Sequence, residues 1–326
     1  MRSRRHAPNA TSVVFREGEL MPPLEAAQCR EVVLPSGWAP YAVAGDAAGN
    51  LWMTLLTPPG LARFTPADTS ADGETAAAFR HERLPRGDGH PMLLTVASDG
   101  ALWCTRTDDR LSRRDVSGDH TAIGLAPGSA PYGIAAAPDG GVWFTAPGLN
   151  QIGRVVTASG GITMFDLPVP DARAAMLTVD VAGRPWVALN AAGALAHVHD
   201  GAVRIVELPS GRAPAAPVGI AASAAGIWYA DIAGGCVGRV DPSGSVEKIS
   251  FADPACRPHA VAADPDGGCW VTLWGSAQLA RITADGDVTL HQLPGREPHG
   301  LWVEDRLVWV AMETGSVVAV DKGESA

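Results

Sequence analysis

The chain has 326 residues, 46% of them apolar, with 35 acidic against 25 basic side chains and a net charge of −10. That apolar content is ample for the core of one large or two ordinary domains, and the acidic balance, with basic residues gathered only at Arg2, Arg4 and Arg5, excludes nucleic acid as the main partner. No apolar run approaches the roughly 20 residues of a membrane-spanning helix, and none follows the N-terminal arginines as an export signal would, so the expectation is a soluble, cytoplasmic protein with no membrane partner.

In chain order, residues 1–25 show no periodic pattern and read as a flexible extension before a single domain over 26–322. Arg30-Glu31-Val32-Val33-Leu34-Pro35 reads as a strand. A unit of about 40 residues then recurs seven times, each centred on a tryptophan: Trp52, Trp103, Trp143, Trp186, Trp228, Trp270 and Trp309. Upstream of each lies a shorter motif, as in Pro40-Tyr41, Pro131-Tyr132, Pro258-His259 and Pro298-His299. Turn clusters such as Ala137-Pro138-Asp139-Gly140 supply the positive φ of tight hairpins. A third strand such as Gln151–Val155 follows, then a fourth ending in Leu-Pro, such as Phe165-Asp166-Leu167-Pro168.

Four antiparallel strands per repeat make a propeller blade, so the fold is all-β, a seven-bladed β-propeller. The last unit lacks a fourth strand, and the strand at Arg30–Pro35 is expected to complete blade seven. The repeated tryptophans belong to the core between blades. Five scattered cysteines with no C-x-x-C pair read as reduced, mostly buried thiols. His6, His81, His90, His120, His197, His199 and His291 read as surface or strand positions without a partner, and a closed ring defaults to a monomer.

Propeller topology places the loop into each innermost strand and the loop between strands two and three on one face. Arg257, His259, Glu297, His299, Trp274 and Glu313 are therefore expected to surround one mouth of the central channel. Glu297 and His299, two apart in an extended segment, are expected to point the same way. Where blade seven has His299, the other blades offer Tyr41, Met92, Tyr132, Met176 and Val218, an apolar and partly aromatic rim. Trp274, out of register with the core tryptophans, is assigned to the site with Tyr41 and Tyr132 as a substrate contact. Two carboxylates and two imidazoles in one mouth are the groups needed for a divalent metal and a general base, and Glu297 and Glu313 carry the hard oxygens that Mg2+ prefers.

Pro131-Tyr132-Gly133-Ile134 with the run to Val155, and the ending Arg257-Pro258-His259 … Glu297-Pro298-His299 … Met312-Glu313, resemble the virginiamycin B lyase family over about residues 28–320. That resemblance implies Mg2+-dependent linearisation of cyclic depsipeptides by elimination. It also implies His299 as the base, Glu297 and Glu313 as magnesium ligands, and His259 as a substrate contact. Unlike the family pattern, which commonly has glutamate after the tryptophan triplet, five blades hold Leu55, Arg106, Ala146, Leu189 and Leu273 there. The competing readings are a metal-dependent propeller lactonase or hydrolase, and a non-catalytic binding propeller.

Overall fold

The computed structural model describes residues 29–66, 79–157, 160–210 and 213–323, which form seven four-stranded antiparallel sheets. The extension at 1–25 lies outside the described residues. Each sheet runs in simple up-and-down order. Blade six, for example, comprises Pro258–Ala263, Cys269–Leu273, Gln278–Ile282 and Val288–Gln292 from the axis outward. The innermost strand of blade seven, Pro298–Val303, packs against that of blade one, Ala39–Gly45, which closes the ring.

Closure follows the expected route. Cys29–Val33 pairs antiparallel with Ser316–Asp321, Val32 standing opposite Val317, and so supplies the outer strand of blade seven. Lys322, one residue further on, is bound at 2.8 Å to the carboxylate of Asp264 in blade six. All five cysteines are free, with Cys29 exposed and the other four buried.

The seven repeat tryptophans are all buried. Burying an indole stabilises the fold by roughly 4–6 kcal/mol before entropy is counted, against about 1 kcal/mol for a hydrogen bond. Packing therefore sets the repeat. Trp52, Trp186 and Trp270 do donate their indole N–H to Asp46, Asp180 and Asp264. Trp103 and Trp228 keep the same place with no partner for that nitrogen. Arg106, where the family pattern has glutamate, is wholly buried and bound to Asp108, Ser112 and the carbonyls of Pro85 and Arg86. It clamps the loop into blade two. His81, His90 and His120, for which the sequence names no partner, meet the carbonyls of Pro59 and Leu56 and the carboxylate of Glu82.

The innermost strands begin with an irregularity that sequence spacing did not reveal. Pro258 pairs with Leu273 and Val261 with Val271, so one extra residue is inserted in the inner strand at His259-Ala260; Pro298/Met312 and Leu301/Val310 repeat this at His299-Gly300. A bulge of this kind frees a backbone N–H and re-aims a side chain. In blade six the freed N–H of Ala260 is taken by Thr272 Oγ1 at 2.9 Å, and the Thr272 hydroxyl donates to the carbonyl of His299 in the next blade, also at 2.9 Å. Thr54, Thr105 and Thr145 make the same bridge to Met92, Tyr132 and Ala175.

These bridges correct one alignment. The blade-four counterpart of His299 is Ala175, not Met176: Thr145 reaches the Ala175 carbonyl as Thr272 reaches that of His299, and Ala174 stands where every other blade has the motif proline. Replacing Thr272 with valine keeps the volume but orphans the Ala260 N–H, and should cost about 1–3 kcal/mol. Urea unfolding of Thr272→Val checks this, and an unchanged midpoint would show that the bridge contributes nothing.

Candidate functional site

The two bulges bring His259 and His299 together at the channel mouth. Their ring centroids lie 4.9 Å apart and the planes meet edge to face at 85°. Each residue is only 8% exposed. Glycine at position 300 permits the packing beside them, since a Cβ there would lie 2.8 Å from the Cα of Ala42 in blade one. Blade one therefore approaches closely, and the Tyr41 ring settles 4.4 Å from that of His299. Trp274 completes the surround at 6.5 Å.

Glu313 follows Met312, the last residue of the second strand of blade seven, and its Oε2 lies 2.6 Å from His299 Nε2. A carboxylate only accepts, so Nε2–H donates and the neutral ring keeps its lone pair on Nδ1. Burial pulls the His299 pKa down to about 4. Burial, reinforced by the neighbouring His299, pulls His259 to about 3. Both imidazoles are thus neutral at ordinary pH. The Tyr41 hydroxyl shares a 2.8 Å hydrogen bond with that of Tyr132, reaching from blade one to blade three. Burial, Tyr132 and Glu313 together drive the Tyr41 pKa upward.

Glu297 sits beside Glu313 through the backbone: the Glu313 N–H donates to the Glu297 carbonyl at 3.2 Å. Its φ of +60° corrects the expectation of an extended segment. The strand starts only at Pro298, and Glu297 belongs to a left-handed turn before it. Arg257 occupies the same position in blade six, with φ of +50°, and its carbonyl accepts from Trp274 N–H at 3.0 Å. The Arg257 guanidinium lies over the Trp274 ring at 5.3 Å from its centroid.

All six expected mouth residues therefore fall in two adjacent blades, and Tyr41 joins them from neighbouring blade one, with Tyr132 bound to it from blade three. Four buried polar atoms of blades six and seven have no partner: His259 Nδ1, His299 Nδ1, Trp274 Nε1 and Ser276 Oγ. Unpaired buried groups are rare in folded proteins and mark places where a ligand completes the bonding. Sequence reasoning missed a cleft of about 640 Å³ beside Glu313, lined also by Leu34, Pro35, Trp38, Thr57 and Thr314. Trp38, a tryptophan outside the repeat register, was the available signal.

Among the described residues no group of three or more His, Cys, Asp or Glu side chains gathers as a metal site. Of the two glutamates expected as magnesium ligands, Glu313 is bound through Oε2 to His299 and Glu297 is tied to it through the backbone; one or two carboxylates, with other positions left to water and substrate, are a donor type that magnesium accepts.

A sequence model described as the virginiamycin B lyase family matches residues 27–320. A virginiamycin B lyase of Nocardia farcinica is 37% identical over 292 residues, covering 89% of this chain and 98% of that protein. The solved streptogramin B lyase structure superposes with a TM-score of 0.82 at 27% identity, over 90% of this chain and 97% of that one. A catalytically inactive virginiamycin B lyase from Staphylococcus aureus, crystallised with quinupristin, does so with a TM-score of 0.81 at 26% identity, over 90% of this chain and 99% of that one.

The Tyr41–Tyr132 bond makes the two hydroxyls energetically dependent on one another. A double-mutant cycle of Tyr41→Phe and Tyr132→Phe should give a coupling of about 0.5–3 kcal/mol in unfolding free energy. Strict additivity would mean that the hydroxyls are independent.

Proposed function

The chain belongs to the virginiamycin B lyase family, and on that premise we propose that it inactivates streptogramin B type depsipeptides by breaking the ester of the ring through β-elimination. The observation that carries the reading is the neutral, buried His299, paired with Glu313 and packed against His259, Tyr41 and Trp274.

His299 is the general base. Its low pKa leaves the imidazole unprotonated and able to take the α-proton of the residue whose side-chain oxygen forms the ester. As the C–H electron pair becomes the Cα–Cβ double bond, the Cβ–O bond breaks and the ester oxygen leaves as a carboxylate. The ring opens with no change in mass. Glu297 and Glu313 would hold Mg2+, which when bound supplies positive charge to the carbonyl oxygen next to the acidified C–H.

Tyr41 and Trp274 wall the imidazole on two sides and restrict its plane. His259, with its Nδ1 unpartnered, is the group left to hydrogen-bond the depsipeptide backbone. The cleft past Trp38 and Leu34 extends the site outward from Glu313 and suits an apolar arm of a macrocycle.

The decisive measurement is the product mass after incubation with quinupristin and magnesium. A ring opened at unchanged mass supports elimination, whereas addition of one water overturns it in favour of hydrolysis. His299→Ala should lower kcat by about 10²–10⁴-fold with the fold intact. A chelator should abolish turnover and added magnesium should restore it; turnover indifferent to chelation would remove the metal from the mechanism.

A further inference from the structure

We propose that Arg257 receives the carboxylate released when the ester breaks, a role that rests on the elimination reading above. The released group is the only full negative charge the substrate gains in that reaction. As His299 removes the proton, the Cβ–O electron pair moves onto the departing oxygen, and an ester without net charge becomes an anion. A cation aimed at that place favours the departing state over the bound ester.

The mouth offers few cations. The residue that precedes the bulge motif is Ala39, His90, Ala130, Arg173, Ala216, Arg257 and Glu297 from blade one to blade seven. Only Arg173 and Arg257 carry a fixed positive charge there. Arg173 stands in blade four, three blades from the base. Arg257 stands in the blade next to His299, and its carbonyl is bonded to Trp274, whose ring in turn lies 6.5 Å from that of His299.

The guanidinium is also held without being neutralised. It lies over the Trp274 ring, and no carboxylate among the described residues pairs with it. Stacking restrains the planar group while leaving its N–H edges free, and that edge geometry matches a carboxylate in two parallel hydrogen bonds. A cation already committed to a carboxylate would have none to offer. Arg257 is exposed and Trp274 half-buried, so the guanidinium stands at the solvent edge of the mouth, where the released acid departs.

The test compares Arg257→Gln, Arg257→Lys and the in-ring control Arg173→Gln. Turnover of quinupristin is followed together with inhibition by the linear acid purified from a wild-type digest. Binding of that acid is measured separately through tryptophan fluorescence. For Arg257→Gln the expected result is a fall in kcat of about tenfold or more and at least tenfold weaker binding of the linear acid, while KM for the uncharged closed ring moves less than about twofold. Arg257→Lys should recover part of the product affinity, and Arg173→Gln should resemble wild type.

If Arg257→Gln binds the linear acid as wild type does in an enzyme that still eliminates, the assignment of Arg257 is wrong and the lyase reading stands. Equal losses in Arg257→Gln and Arg173→Gln would also overturn it, since general field effects would then suffice. A wild-type protein that yields a hydrolysed product or none overturns the elimination reading and the role of Arg257 with it.

Discussion

Everything at the channel mouth depends on one extra residue at the start of the innermost strands. Strand side chains alternate between faces, so inserting a residue between Pro298 and Leu301 changes which way His299 faces relative to a regular ladder. The insertion costs a backbone hydrogen bond, and in four blades a threonine hydroxyl offsets that loss while reaching the next blade. The same device that joins the blades therefore fixes the backbone of the reactive positions. His299 is held by its carbonyl from blade six and by its ring from Glu313, and neither constraint needs a ligand.

The site divides its chemistry between two blades. Blade seven contributes His299 and both glutamates; blade six contributes an aromatic surface, a second neutral imidazole and a cation. Glu297 and Arg257 occupy equivalent left-handed positions with opposite charge. A repeat fold makes such a division economical in structural terms, because one backbone solution serves both sides. Only the side chains differ. Elsewhere round the ring the Glu297 position holds alanine, histidine or arginine and the His299 position tyrosine, methionine, alanine or valine, and Tyr41 and Tyr132 spend their hydroxyls on one another.

Much of this was legible in the sequence for a definite reason. Buried tryptophans must recur at a fixed place in every blade, so Trp52 to Trp309 announce the count, and the unpaired Ser316–Asp321 strand announces its partner at Cys29–Val33. Membership of the mouth followed from topology alone. What remained hidden was local backbone. The left-handed turn at Glu297 is invisible to spacing arguments that assume an extended chain, and the bulge adds a residue without any composition signal. Blade four was read one residue late, Met176 for Ala175, because it has Ala174 in place of the proline that marks the motif in every other blade. The Trp38 cleft and the stacking of Arg257 depend on contacts between segments far apart in sequence, and no periodicity encodes those.

The seam of the ring has a consequence for how activity arises in time. Blade seven joins a strand near residue 30 to strands beyond residue 298, so the blade bearing the base forms only when both have emerged from the ribosome. Blades one to six can be completed during translation, each from contiguous chain. His299 is consequently placed last, at the junction where the earliest and latest strands of the propeller meet, and a nascent chain caught before that junction has six finished blades and an incomplete mouth.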